Sequence, residues 1–468
     1  MKTTKYELAQ FQFYSSEVIT EHLSKMAQKG WQLDKITQFG WKYKKMQPQD
    51  LKYSVTYFQE ASEFDPSPTQ GQEVFFEYCK EAGWDFVTQW AQMQIFSSSM
   101  ENPTPIETDE REKLTAIHRS MKKTSFPSNF MMIGISILQL YMVISRLIDS
   151  PVDFYSNWLS LFNTVAWVLL LICFILPPLN YYIWYKGSKK SVELGGSCLE
   201  MRRLGEGVSK FVTALALISL LLVYIGSSLS NQNYFIFFLT SLPVLVTCFT
   251  AIWLKNKMKE KGVSKALNFA LTLTACIVLS FASMGLMTLM IFKGVSTGGF
   301  HRPPSSTHTI TYPDGSRQEV DIYTDDIPLK IEDMQEVDYE NYSYKSEEQS
   351  SNLVSKTTVT QRPLPFDDPS LPSLEYKIID VKLSALFDSC LKECLKSDKW
   401  EKKMPEFDRR AYRKMQNASY LSDEAYQRYR GDDPLAEYVI CFGNRIVCIH
   451  FEEIPSEAQL TIASQKLR

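Results

Sequence analysis

Little in this sequence reads as catalytic. It has no Walker A phosphate loop, no Gly-x-Gly-x-x-Gly turn, no His-Glu-x-x-His and no Gly-x-Ser-x-Gly. Those spacings cradle a phosphate, seat a dinucleotide, hold zinc or expose a nucleophile. The stretch GGSCLE from Gly195 is no nucleophile elbow, because no strand precedes it. Histidine is scarce, at five of 468 residues. The adjacent pairs Asp325–Asp326, Asp367–Asp368 and Asp432–Asp433 sit in Pro- or Gly-flanked loops and read as solvated turns, with a weak external cation site as the alternative. No enzyme, no cofactor and no metal site is expected. Basic charge is not in excess either, at 50 Lys and Arg against 53 Asp and Glu, so no nucleic-acid partner is expected. A signal-type apolar core does not follow MKTTKYELAQ, which predicts that residues 1–126 stay in the cytoplasm.

What the chain does have is segregation. Polar sequence runs to about residue 126, long apolar runs occupy 127–292, and polar sequence returns from 293 to 468. A helix needs about 20 apolar residues to cross a bilayer core of about 30 Å. Five runs qualify: 129–148, 157–184, 211–229, 234–254 and 266–292. Pro177–Pro178 predicts a kink or an early end in the second. Tyr181, Tyr182, Trp184 and Tyr185 then read as an aromatic belt at the membrane interface.

Basic residues fix the expected orientation. Lys113, Arg119, Lys122 and Lys123 precede the first run. Lys186, Lys189, Lys190, Arg202, Arg203 and Lys210 separate the second and third, and Lys255, Lys257, Lys259, Lys261 and Lys265 the fourth and fifth. The loop after the first run carries Arg146 with Asp149 and Asp153, and Ser227–Asn233 is uncharged. The N-terminus is therefore expected in the cytoplasm and the C-terminus outside. No Asp, Glu, Lys or His lies inside a run, which argues against ion-coupled transport.

Residues 1–100 contain a duplication in which AQKGWQL and EAGWDF superimpose with a shift of 53. Each half reads as β-α-β-β, with Gly30 and Gly83 closing helices. The expected result is one antiparallel sheet with two helices on one face. Trp31 and Trp84 read as core; a ligand or partner groove lined by Trp31, Trp41, Trp84 and Trp90 is the sharper alternative, with Trp41 and Trp90 its better members. Residues 101–126 read as a basic linker.

Residues 293–375 read as an extracytoplasmic linker and hairpin; 298–375 open with GGFHRPPSS, a linker by composition, followed by a hairpin turning on Pro313-Asp314-Gly315. Residues 335–375 read as an extended loop. Residues 376–468 read as a small α+β domain, with an amphipathic helix over Asp380–Lys396, a hairpin turning at Gly443–Asn444, and a last helix opened by a Ser456/Gln459 capping box. Four of the nine cysteines fall here, namely Cys390, Cys394, Cys441 and Cys448. Packing as small apolar residues is the simplest reading, and a helix-to-hairpin disulfide the alternative. Zinc is not expected, because there is no Cys-x-x-Cys pair, and His450 is assigned to the face opposite Cys441 and Cys448. His301 and His308 lack partners at ligand spacing.

The Gly-Trp repeat, the strand YSVTYF and the Pro-rich break before the apolar runs resemble the bacterial Domain of Unknown Function 2812 family, over residues 1 to about 120. That resemblance implies a bacterial plasma membrane of the Firmicutes type and a regulatory or stress-response setting, since such genes often lie beside genes for PadR-like regulators. It brings no catalytic residues. The expected fold class is thus a multi-domain membrane protein, with a duplicated α+β cytoplasmic domain, a five-helix transmembrane region and a small α+β extracytoplasmic domain. Its expected partners are the lipid bilayer and a protein not identified by the sequence. The expected function is a non-enzymatic membrane sensor or accessory protein, with a transport or export component as the alternative.

Overall fold

The computed structural model describes most of the chain; the longest stretches outside the description are 200–210, 226–233, 297–303, 312–316, 338–341, 364–370, 398–404 and 417–420. It is a mixed α/β protein of two compact units. The first comprises Met1–Gln139 and Ala166–Phe300, the second Leu140–Val165 and His301–Arg468.

The first unit opens with β1 (Thr4–Glu7), α1 (Ser16–Gln28), β2 (Trp31–Thr37) and β3 (Gly40–Lys45). The same order returns as β4 (Lys52–Tyr57), α2 (Gln70–Glu81), β5 (Asp85–Trp90) and β6 (Met93–Ser98). Each copy is a three-stranded antiparallel sheet with its last strand central, in the orders β1-β3-β2 and β4-β6-β5. The duplication reaches the backbone. Gly30 and Gly83 both take positive φ, at 79° and 88°, and both copies slip register at matching positions, between Leu33 and Lys35 and between Phe86 and Thr88. The expected single sheet is replaced by two. Helix α1 and both sheets share one core, in which Ile19 and Leu23 meet Trp41 and Tyr43 of the first sheet and Val55 and Ile95 of the second. Helix α2 closes a smaller core with Cys79, Trp84 and Phe96.

Part of 101–126, expected as linker, is the helix α3 (Glu110–Ser120), capped by the Asp109 carboxylate and joined by one π-helical turn to α4 (Phe126–Asp149). A short α5 (Pro151–Ser156) leads to the 36-residue α6 (Trp158–Glu193). Pro177 and Pro178 do not end α6; each removes one backbone donor, and the remaining hydrogen bonds carry the helix on. Next come α7 (Tyr234–Glu260) and α8 (Lys265–Ser296). Among the described residues three helices, not five, are long and apolar enough to cross a membrane: Glu110–Asp149, Trp158–Glu193 and Lys265–Met290. Of the other two runs, 211–229 lies in part outside the described residues and 234–254 lies within α7. Arg202, Arg203, Lys210 and all of Ser227–Asn233 also lie outside the description.

In the second unit β7 (Ser306–Thr311) and β8 (Arg317–Ile322) pair as a hairpin whose Pro313-Asp314-Gly315 turn lies outside the described residues. The stretch expected as an extended loop instead forms a second hairpin, β9 (Tyr342–Ser350) and β10 (Val354–Pro363). Then come β11 (Leu374–Val381), α9 (Phe387–Cys394), β12 (Arg410–Lys414), β13 (Glu424–Arg430), β14 (Asp433–Phe442), β15 (Arg445–Phe451) and α10 (Glu457–Leu467). Helix α9 is shorter than the helix expected over Asp380–Lys396, because the first residues of that stretch end β11. Seven strands form one antiparallel sheet in the order β12-β13-β14-β15-β11-β10-β9. One face packs Tyr376, Ile440 and Val447 against Leu460 and Leu467 of α10. The other packs Ile379, Val439 and Ile446 against Cys390 of α9 and Val152 of α5. The segment between α4 and α6 is thus part of this domain's core rather than a bare connection.

Candidate functional site

The duplicated domain is built onto its helices through two sets of contacts. The first is aromatic. Tyr181, Trp184 and Tyr185 of α6, expected as an interfacial belt, pack instead on the domain's core. Tyr181 is 1% exposed; its ring meets Tyr14 edge-on at 5.0 Å, and its hydroxyl bonds His118 Nδ1 at 2.8 Å. His118 stacks on Tyr185 at 4.1 Å. Only Tyr182 of the four keeps the exposure of a belt residue, at 54%. The Cys198 backbone N–H donates to Glu110 Oε2 at 2.9 Å and ties the segment after α6 to α3.

The second set comes from a difference between the two copies. Strand pairing relates Thr4 to Tyr53, an offset of 49, whereas from the helices onward the offset is 53. The loop before α2 is therefore four residues longer than the loop before α1. That longer loop reaches α7 and α8. Lys255 Nζ donates to Glu63 Oε2 at 2.8 Å, and Lys265 lies 3.9 Å from Asp65. Asn268 Nδ2 donates to the Phe64 carbonyl at 3.0 Å and to the Lys255 carbonyl at 3.2 Å, and Phe64 meets Phe269 edge-on at 5.3 Å. Lys123 Nζ reaches the Gln59 carbonyl at 2.9 Å, and Thr124 bonds Gln92. A fully buried Asn amide with both donors used fixes geometry better than exposed ion pairs do.

Beside this loop lies a cavity of about 520 Å³, whose lining includes Lys35, Trp90, Lys255 and Lys259. Burial, and then the neighbouring Lys255, hold the Lys259 ammonium below its ordinary pKa. Asp34, on the same lining, is committed to Lys44 at 2.5 Å and Lys42 at 3.1 Å, and its carboxyl is held low by them. The lining also holds Asp34, Glu63 and Glu260, so the cavity presents ammonium and carboxylate groups beside the Trp90 indole, with Lys255 committed to Glu63.

The four tryptophans do not line one groove. Trp41 is 6% exposed in the main core, and Trp31 packs half-buried against it. Trp84 is 5% exposed in the smaller core and donates its indole N–H to the Thr104 carbonyl at 2.7 Å. It also borders a separate cavity of about 470 Å³ beside Glu107, whose carboxyl burial pushes up. Trp90 is 39% exposed and leans edge-on against Phe13 at 5.9 Å. The residues that reasoning from sequence missed are Glu63, Asp65 and Asn268. The one available signal was the unequal spacing of the repeats.

In the second unit, strand register overturns one expectation. Cys441 pairs with Ile446, Val439 with Cys448 and Glu437 with His450, and residues two apart share a face, so His450 lies on the same face as Cys441 and Cys448. Among the described residues no group of three His, Cys, Asp or Glu side chains could hold a metal ion. Around α5, Val152 N donates to Glu393 Oε2 at 2.5 Å, Lys356 pairs with Asp153 at 2.5 Å, and Ser351 bonds the Tyr155 carbonyl.

No curated protein and no solved structure matches the chain. The stretch from the cap of α1 through α3 to the start of α4, residues 15–128, matches the family model described as "Protein of unknown function (DUF2812)".

Proposed function

We propose that the protein is a non-enzymatic bacterial plasma-membrane sensor or accessory protein that couples an external domain to a cytoplasmic one. The observation that carries this reading is how the apolar helices begin and end. Helix α4 starts at α3, which packs in the duplicated domain, and ends at α5, which packs in the core of the second unit. Helix α6 starts beside α5 and ends in the aromatic contacts with Tyr14 and His118. Each helix therefore joins a segment held by one domain to a segment held by the other. Side chains at both ends are buried or hydrogen-bonded, so a shift at one end loads the contacts at the other. An odd number of crossings, three or five, puts the two domains on opposite faces, and the basic loops put the N-terminal one inside.

Two experiments test this. Reporters fused after Thr108 and Leu467 should be active on opposite faces of the membrane; activity of both inside refutes the topology. Glu393→Ala should free the 151–156 segment and change protease sensitivity of the 58–69 loop in native membranes. An unchanged cleavage pattern there would sink the coupling.

A further inference from the structure

Helix α9 does two things with adjacent residues. Glu393 holds α5 through the Val152 N–H. Cys394, the next residue, packs on the same cluster of this sheet face as Cys448 of β15, close enough for that thiol to raise its pKa. Both residues line a cavity of about 420 Å³ that also takes in Asp153, Lys356 and Tyr412, and both keep partial exposure. Cys390 and Cys441 pack in the same cluster but are buried.

We propose that Cys394 and Cys448 are a thiol–disulfide pair that locks α9, and with it the 151–156 segment, onto the sheet. The oxidant is a disulfide of the dithiol-oxidoreductase or small-molecule class. One cysteine thiolate attacks the oxidant's disulfide, forming a mixed disulfide and expelling one oxidant thiolate. The second cysteine, losing its proton, attacks its partner's sulfur in that bond and expels the other. The two electrons leave on the oxidant as two thiols, which take up the two protons. The neighbouring thiol and burial hold Cys394 well above the ordinary thiol pKa. Exchange through it is therefore slow at neutral pH and quickens as pH rises. The pairing rests on the cluster and cavity that the two residues share, and on the proposed outer placement only for the supply of oxidant.

The test uses purified full-length protein in detergent, treated with oxidised glutathione at pH 8.5, quenched in acid and mapped by mass spectrometry without reduction. The expected product is a Cys394–Cys448 cross-linked peptide, with Cys390 and Cys441 still free. Free thiols at both Cys394 and Cys448, glutathione adducts that do not resolve, or a Cys390–Cys441 link would overturn the pairing. Cys448→Ala should leave a stable glutathione adduct on Cys394, and Cys394→Ala serves if that variant misfolds. Hydrogen exchange in the 151–156 peptide should slow about threefold or more on oxidation of the native chain and not of Cys394→Ala; no slowing in the oxidised native chain refutes the lock. Because oxidant is added, these outcomes do not depend on sidedness, which the reporter fusions read separately.

Discussion

The two copies of the β-α-β-β unit share strand order, a helix-ending glycine and a register slip at the same place, yet they play different parts. The first copy buries Trp41 on its central strand, and its helix packs against both sheets. The second has Gln94 at the matching position, fully buried with neither amide atom hydrogen-bonded. It carries its helix on a smaller core and extends the longer loop to α7 and α8. One copy thus supplies the main core while the other supplies the attachment. A duplicated backbone can divide its labour in this way because strand pairing sets the frame while loop length and a few inward side chains decide what the frame touches.

The contrast can be tested by substitution, with each effect read as a local opening free energy from hydrogen exchange in the full-length protein. The largest effects should come from the buried rings. Trp41→Ala and Trp84→Ala should each cost about 3–5 kcal/mol, but Trp41→Ala should destabilise both sheets and Trp84→Ala chiefly the second. Equal loss over both copies from Trp84→Ala would erase the distinction between the two cores.

The helix-ending glycines come next. Valine at either position meets positive φ and should cost about 1–3 kcal/mol. The loss should be greater at Gly30, where a Cβ would sit 3.0 Å from the Met46 carbonyl oxygen, a backbone atom. At Gly83 the obstacle is the Met100 sulfur, the far part of a flexible side chain. A greater loss at Gly83 would show that the second copy is the more rigid.

Gln94→Leu should raise stability by about 1 kcal/mol, since a buried amide without partners costs about 1–3 kcal/mol. A loss instead would mean that the amide is satisfied by water.

The smallest effect is one of pH and belongs to the first copy. His22 bonds the Tyr43 hydroxyl at 3.1 Å, and burial lowers its pKa below 6.5, with Glu7 opposing. The folded state binds its proton less readily than the unfolded chain does. Its contribution is therefore complete above about pH 6.5 and is lost as pH falls through the folded value. Opening free energies in β3 should decline on that side, and His22→Gln should flatten the decline. A profile that His22→Gln leaves unchanged would assign the titration to another group.

The features that sequence made legible are those fixed within a few residues. Gly30 and Gly83 occupy positive φ because a helix-ending turn demands it. The Ser456/Gln459 capping box opens α10, and the Gly443–Asn444 turn closes β14 onto β15 where the pattern places them. Long apolar runs announce helices by length alone. Tertiary structure decided whatever depends on a distant partner. Strands β9 and β10 are largely polar; they are held by their ladder to β11 and by Tyr342, Tyr344 and Val359 in the core, with the buried Gln361 satisfied by the Ile331 N–H and the Leu329 carbonyl. The split into two sheets follows from α1 serving both, which no local period encodes. Tyr181 and Trp184 suit a membrane interface equally well by composition, and it is the apposed Tyr14, with His118 and Phe126 beside Tyr181, that draws them into a protein core. The meeting of Cys394 with Cys448, and of Glu393 with Val152, joins residues far apart in the chain, so their chemistry exists only once the sheet has set its register.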